Sequence, residues 1–275
     1  MILWWQGLVA RATEKMSVLQ DILSKTASNA SPIRELFTSD DGTVLYCTLP
    51  GGQSAIRSCQ HLQRLAHLTR HWPILLGDEK RLRNLRELPE LNPASVQETL
   101  EFAKTIDAQK WFADRARNRR AEFEEYNPGE DPSHAIAPIG EWPEEPRPHS
   151  YISAANEIVS REPLESCVIG FIPTLAHWEV PAHLHLGGWN ECPEAAVHCA
   201  LHRYWQEEYG ARIFSVTSDT IEFVVQRPPT TKEHALRLAK EHFLYCADIV
   251  EQGTETLSGL GSALLDGKTW FFWWD

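Results

Sequence analysis

The chain predicts an α+β fold in which a mixed β-sheet is flanked by helices, and three observations carry that expectation. Trp270-Phe271-Phe272-Trp273-Trp274 sets five large aromatic residues in a row. Left in water, such a run would be an aggregation-prone edge, so it reads as a buried strand on which the fold closes. Residues 43–77 read as strand, helix, strand, the pattern of a parallel crossover unit. The last hundred or so residues read as β-α-β-β-α-α-β, a split βαβ plan with one additional helix. In that plan the last strand often pairs beside a strand of the first half.

Taken in order, residues 16–30 form a short helix that Ser28, Ser31 and Pro32 end. Thr43-Val44-Leu45-Tyr46-Cys47-Thr48-Leu49 is a strand between Asp41-Gly42 and Pro50-Gly51-Gly52. Ile56, Leu62, Leu65 and Leu68 mark one face of the helix that follows, and Trp72-Pro73-Ile74-Leu75-Leu76-Gly77 is a short buried strand. Asn92-Pro93 opens one long helix carrying Val96, Leu100, Ala103, Ile106, Trp111 and Phe112 to about Tyr126. Residues 127–150 hold prolines 128, 132, 138, 143, 146 and 148 among several acids, a composition with too little apolar surface to order itself. Ile139 and Trp142 point to its docking on the body. Cys167 to Ile172 is a strand, and Pro193 suits the first position of a helix with Val197, Ala200, Leu201, Tyr204 and Trp205 inside. Ile213–Val216 and Ile221–Val225 form a hairpin around Ser218-Asp219. Thr230 and Glu233 read as a capping box, opening a helix with Ala235, Leu238, Ala239, His242 and Cys246 on one side. Gly253-Thr254 starts a last helix, with Leu257, Leu260 and Leu264 inside and Gly267 at its end. The parts are then a 1–30 N-terminal extension, a 31–126 α/β part, a 127–150 Pro-rich acidic linker and a 151–275 C-terminal domain.

A length of 275 residues, 43% hydrophobic and 23% charged, describes an ordinary globular chain with ample core. A formal net charge of −12 argues against a non-specific nucleic-acid binder, which needs clustered cations. Arg115, Arg117, Arg119 and Arg120 are the dense exception, but Glu122, Glu124 and Glu125 follow at once and the run reads as a solvated helix. Cys47, Cys59, Cys167, Cys192, Cys199 and Cys246 form no CxxC pair, which reads as reduced thiols and a cytoplasmic setting. Met1 to Arg11 lacks the cationic start of a secretion signal, and no window approaches the ~20 apolar residues of a membrane span. Met16 is the second of two methionines, so residues 1–15 read as an extension or the product of an upstream start codon.

A series of motifs runs through the C-terminal part: Gly187-Gly188-Trp189-Asn190-Glu191-Cys192-Pro193, His198, Tyr204-Trp205, Tyr209-Gly210 and Pro228-Pro229. Tyr245-Cys246-Ala247-Asp248-Ile249-Val250-Glu251-Gln252-Gly253 and Trp270 to Asp275 complete it. Together they resemble the bacterial family catalogued as domain of unknown function 4253, over about residues 167–275, with a weaker echo at Trp72 to Gly77. Ala247 stands where the family has proline. The resemblance implies no settled activity, so chemistry has to be argued from the residues.

Five constellations offer it. His198 and His202, four apart on one helix, turn their imidazoles the same way and with Cys192 form a metal candidate, zinc being the ion that fits; a hydrogen-bonded pair beside Trp205 is the alternative. Cys192, expected at a helix N-cap where free N–H groups favour a thiolate, is a candidate nucleophile. His183, His185 or His198 would be its base and Asp248 would orient that base. The alternative is a thiol packed under Trp189. Asp248, Glu251 and Gln252 form a polar cluster that either supports a helix start or performs acid–base work. Gly51-Gly52 sits where a phosphate loop would, yet neither GxGxxG nor GxxxxGK[ST] is present, so it reads as a turn. The eleven tryptophans are core by bulk, with Trp142 and Trp178 the ones expected at the surface.

With no constellation meeting a catalytic template, the leading expectation is a non-catalytic binding protein of the kind that neutralises or scaffolds another protein. It has a protein partner, no nucleic acid or membrane, and no cofactor. Trp189, Asn190, Glu251 and Gln252 are its contact candidates. The alternatives are a hydrolase using Cys192 or a metal at His198 and His202, and a binding module with a structural zinc.

Overall fold

The structure, a computed structural model, describes residues 18–27, 29–39, 42–145, 148–149, 151–158 and 160–275. The expected extension 1–15, Met16 and the first residues of the 16–30 helix lie outside that set, as do Asp41 and Pro146; residues 18–26 are helical (α1). Seven strands form one mixed sheet: β1 (Arg34–Ser39), β2 (Gly42–Pro50), β3 (Trp72–Gly77), β4 (Ser166–Ile172), β5 (Arg212–Val216), β6 (Thr220–Val224) and β7 (Thr269–Trp273). Their spatial order is β1-β2-β4-β3-β5-β6-β7. Only β3 and β5 run parallel as neighbours, meeting at Leu75 and Ser215. β2 and β3 are themselves parallel, because each pairs antiparallel with β4, which inserts between them (Cys47↔Ile169 and Ile74↔Gly170). The crossover unit read at residues 43–77 therefore has the expected direction, with a third strand inside it.

Helices cover both faces. One face packs Tyr46, Ile74, Leu76, Val168, Ile213, Phe223 and Trp270 under α4 (Glu79–Leu91), the short α7 (Val180–His183), α8 (Ala195–Tyr209), α9 (Lys232–Tyr245) and α10 (Leu257–Leu264). The other packs Leu45, Cys47, Leu75, Ile169, Phe171 and Phe214 under α1 and α2 (Gly52–Arg64). The alternation along each strand, with Cys47 on one face and Tyr46 on the other, follows the two-residue period of a pleated strand. Among the described residues no helix is long and apolar enough to cross a membrane.

The class and the element order agree with the sequence; several junctions do not. The single helix expected from Asn92 to Tyr126 is two, α5 (Val96–Thr105) and α6 (Ala108–Tyr126). Ser95 and Glu98 close a capping box on α5, and Asp107 accepts from Lys110 N at 2.8 Å to start α6, so two N-caps divide what periodicity alone ran together. Pro193 does not open α8. Its carbonyl and that of Cys192 accept from Gly188 N, both at 3.1 Å, which folds them into the preceding loop and leaves Glu194 as N-cap. The cap of α9 is Thr231, which accepts from His234 N, rather than Thr230 paired with Glu233. Gly253-Thr254 belongs to a π-helical turn (Ile249–Thr254), and α10 starts after Thr256. The helix expected after Gly52 runs α2 to Arg64 and restarts as α3 (Ala66–Thr69). β1 and α4 are additions to the elements expected.

The aromatic strand also sits elsewhere than the split plan suggests. β7 pairs with β6 (Phe272↔Ile221, Glu222↔Phe271) and forms the edge of the sheet. Trp270, Phe272 and Trp274 are buried, whereas Phe271 and Trp273 are half-exposed, so one face of the strand carries the burial. The other face is covered by the end of the Pro-rich stretch and the residues that follow it. His149 stacks on Phe271 with centroids 5.1 Å apart, and the buried carboxylate of Glu222 accepts from Ser153 N at 2.7 Å and Ala154 N at 3.2 Å. The Pro-rich stretch docks by its backbone: the Pro138 and Ile139 carbonyls accept from Leu257 N and Ser258 N. The Trp142 ring lies 5.0 Å beneath Lys232 Nζ.

Candidate functional site

α8 and α9 pack on the antiparallel β6–β7 pair, and the helical period turns His198, His202 and Trp205 of α8 and His242 and Tyr245 of α9 toward one another. All five are buried, and the Trp205 indole stacks on Phe272 with centroids 5.5 Å apart. The two imidazoles of α8 converge, as their spacing requires, on the phenol oxygen of Tyr245. His198 Nδ1 lies 2.6 Å and His202 Nε2 2.8 Å from Tyr245 Oη. The phenol thus fills the point at which a shared metal would sit, and among the described residues no group of three or more His, Cys, Asp or Glu is arranged around a metal position. The other nitrogen of His198, Nε2, is 3.5 Å from Cys192 Sγ.

The direction of this chain follows from counting donors. His202 Nδ1 has no hydrogen-bond partner among the described residues, so the proton of that ring is assigned to Nε2, which faces Tyr245 Oη. The phenol accepts from it and must then donate to His198 Nδ1, which assigns the His198 proton to Nε2, on the Cys192 side. His202 Nδ1, which has no partner, is left as an unprotonated acceptor, a smaller cost than a stranded N–H. Burial dominates the electrostatics. It pulls His198 down to about 3 and His202 well below its ordinary value, and it pushes the Tyr245 phenol and the Cys192 thiol far up. The network is neutral.

The sequence-derived candidates divide into two groups. Cys192, His198 and His202 do come together, but beneath the surface, and Cys192 stands two residues before the N-cap of α8, away from the N–H groups expected to acidify it. His198, rather than His183 or His185, is the histidine beside the thiol; His185 Nδ1 bonds the Asn92 carbonyl at 2.8 Å. Asp248 does not orient a histidine. Its carboxylate accepts from Asp275 N at 3.0 Å and from Gln252 Nε2 at 3.3 Å.

Trp189, Asn190, Glu251 and Gln252 belong to the second group, at the surface. Asn190, in the left-handed region at φ 46°, donates to the Asp275 carbonyl at 2.8 Å, so the Gly-Gly-Trp-Asn loop, the π-helical turn and the last strand are tied into one ledge. Trp189 is half-buried against the main core below it. Arg119 of α6 grips this ledge. Its guanidinium pairs with Glu191 at 2.9 Å and Glu251 at 2.7 Å and lies 4.9 Å over the Phe243 ring, while Arg115 adds a second contact to Glu191 at 3.0 Å. The arginine run read as a solvated helix is thus partly a clamp.

Tyr245 and Arg119 are the residues that sequence reasoning missed. A buried tyrosine needs a partner for its hydroxyl and two helical histidines need one for their nitrogens, a signal present in the sequence. Nothing in the spacing points Arg119 across to Glu251.

The chain matches no curated protein and no solved structure. Residues 168–275, which carry the loop, the π-helical turn and the aromatic strand described above, match the family model described as Domain of unknown function (DUF4253), and this segment of the chain belongs to that family.

Proposed function

We propose that the protein is a non-catalytic binding protein that engages a protein partner through the ledge of Trp189, Asn190, Glu251 and Gln252. The observation that carries this reading is the unpartnered Nδ1 of His202, which sets the order of hydrogen bonds running through Tyr245 to the Cys192–His198 pair. In that order the nitrogen facing the sulfur bears the proton and the other accepts from Tyr245, so no lone pair is free to take the thiol proton. Burial disfavours the thiolate further. The polar residues of the ledge, in contrast, are exposed and held in place by hydrogen bonds, the pre-organisation that lowers the cost of binding. Six free, buried thiols fit a reducing, cytoplasmic setting.

Two measurements test the reading. Iodoacetamide at neutral pH should label Cys192 no faster than Cys47 or Cys199; a Cys192 adduct formed far ahead of the other thiols overturns the non-catalytic assignment. Immobilised wild-type protein and the Cys192→Ser variant should retain the same stoichiometric partner from an extract of the source cells, and an Asn190→Ala/Gln252→Ala double variant should lose it. Equal retention by the double variant overturns the assignment of the face.

A further inference from the structure

On the other side of the same glycine loop is an open cleft of about 330 Å³, between the α4–α5 junction, the flank of α5 and the first turn of α8. Its floor is backbone. Gly187, at φ 90°, has no room for a side chain, because a Cβ would overlap the Pro193 carbonyl and lie 2.8 Å from His198 Nε2. Gly188 follows at φ 80° and is exposed. Asn92 fixes this floor by donating from Nδ2 to the His185 carbonyl at 2.9 Å and the Gly187 carbonyl at 2.8 Å. The walls are apolar on one side: Phe102 of α5 is 55% exposed and Pro93 and Ala94 lie beside it, while Leu91, the residue before Asn92, is 70% exposed. Phe102, Pro93 and Ala94 thus present an open apolar wall beside the glycine floor.

The charge of the cleft selects its occupant. Glu98 and Glu194 line it, no lysine or arginine does, and among the described residues neither carboxylate pairs with a cation. One oxygen of Glu98 closes the capping box with Ser95, which leaves the other for a ligand, and Glu194 makes no capping bond with its side chain. Two full negative charges outweigh the roughly half a positive charge at the N-terminus of α8. Lysine and arginine carry an aliphatic stem and a cationic head, which are the two chemistries the cleft offers.

We infer that this cleft receives a lysine or arginine side chain, and the apolar residue beside it, from an extended basic segment of the protein partner. The inference rests on the binding reading above and names the partner's class: its contact segment is basic and partly apolar, complementary to a chain of net charge −12. The occupied cleft would place the partner across the glycine loop, with its neighbouring residues on the ledge.

A defined peptide tests this without the natural partner. The full chain, labelled with ¹⁵N, is titrated with a hexapeptide of alternating leucine and lysine, and with its leucine–glutamate counterpart. Saturable shifts of the Gly187, Gly188, Ala195 and Ala196 amides are expected with the lysine peptide alone. Affinity should fall at least tenfold in a Glu98→Gln/Glu194→Gln/Phe102→Ser variant, whose glutamine at 98 keeps the capping box and whose other changes are at exposed positions. Shifts spread over the acidic surface without saturation at these amides, or an affinity unchanged in the variant, overturn the inference. Partner capture that survives the triple variant but not Asn190→Ala/Gln252→Ala sinks the cleft and spares the ledge; loss of neither sinks both.

Discussion

Acid should unfold this protein at a pH where most carboxylates are still ionised. His177, His198 and His242 are all buried, and burial brings each down to about 3 from an ordinary 6.5. A histidine whose folded pKa is depressed binds its proton in the unfolded chain first. Its contribution is therefore intact above about pH 6.5, falls as pH drops below that value, and saturates near pH 3. At pH 5 each of the three costs about 2 kcal/mol, and together about 6 kcal/mol, comparable with the ~5–15 kcal/mol stability of a whole domain. His202 acts in the same direction. Glu241, whose carboxyl burial raises, works the opposite way near its own pKa and offsets a part of the loss. The assay is urea unfolding followed by tryptophan fluorescence between pH 7.5 and 5. The unfolding free energy should fall with a slope approaching about 4 kcal/mol per pH unit, the uptake of roughly three protons. His242→Phe, which puts an apolar ring among Trp205, Trp270 and Phe272, should remove one proton from that count. A stability that stays flat from pH 7.5 to 5.5, or an uptake below one proton, would refute the buried neutral network.

Three further outcomes follow from the same contacts. Tyr245→Phe keeps the ring but strands His198 Nδ1 and His202 Nε2–H, and should cost about 2–4 kcal/mol by urea unfolding; combining it with His202→Phe should cost clearly less than the sum, and strict additivity would break the proposed chain of bonds. Arg119→Ala removes two ion pairs to half-exposed glutamates and one cation–π contact from a guanidinium that is 15% exposed, for about 1–2 kcal/mol. Hydrogen exchange should quicken in residues 187–192 and 249–254 together; a change in one segment alone would deny the clamp. Phe272→Ala should cost about 3–5 kcal/mol and Phe271→Ala far less, since one ring is fully buried and the other is half-exposed under His149; equal losses would contradict an edge strand buried on one face.

Much of the architecture was legible because period and composition report burial. The β2, β3 and β4 segments, the β5–β6 hairpin and the aromatic strand all stand within two residues of where their apolar runs place them. Boundaries set by a single side chain were not. Ser95, Asp107, Thr231 and Thr256 act as caps because their carboxylate or hydroxyl meets a backbone N–H, and Thr230, which caps nothing, looks equally eligible in the sequence. Sheet order was illegible for a different reason, since β7 reads the same whether its partner is β6 or a strand of the first half. At the site, the spacing of His198 and His202 reported their convergence correctly. That they converge on Tyr245, 43 residues downstream of the nearer one, depends on how α9 is placed beside α8, and no local pattern encodes it. β1 escaped notice because Leu36 alone is buried in Arg34-Glu35-Leu36-Phe37-Thr38-Ser39, with Phe37 only partly covered.

The position of β3 bears on how the chain can be made. β4, from Val168 onward, and β5 lie inside the family segment, yet they never touch along their edges, because Trp72 to Gly77 lies between them. A nascent chain has made β3 some ninety residues before its first neighbour arrives, and about fifty more before its second. During that interval six consecutive residues, each destined to be buried, must be shielded or transiently misplaced. Synthesis of residues 168–275 by themselves would leave a strand-wide slot at the centre of the sheet. The simplest repair is to supply the missing strand in trans, so a cell producing the two halves as separate polypeptides could still reassemble one sheet around it.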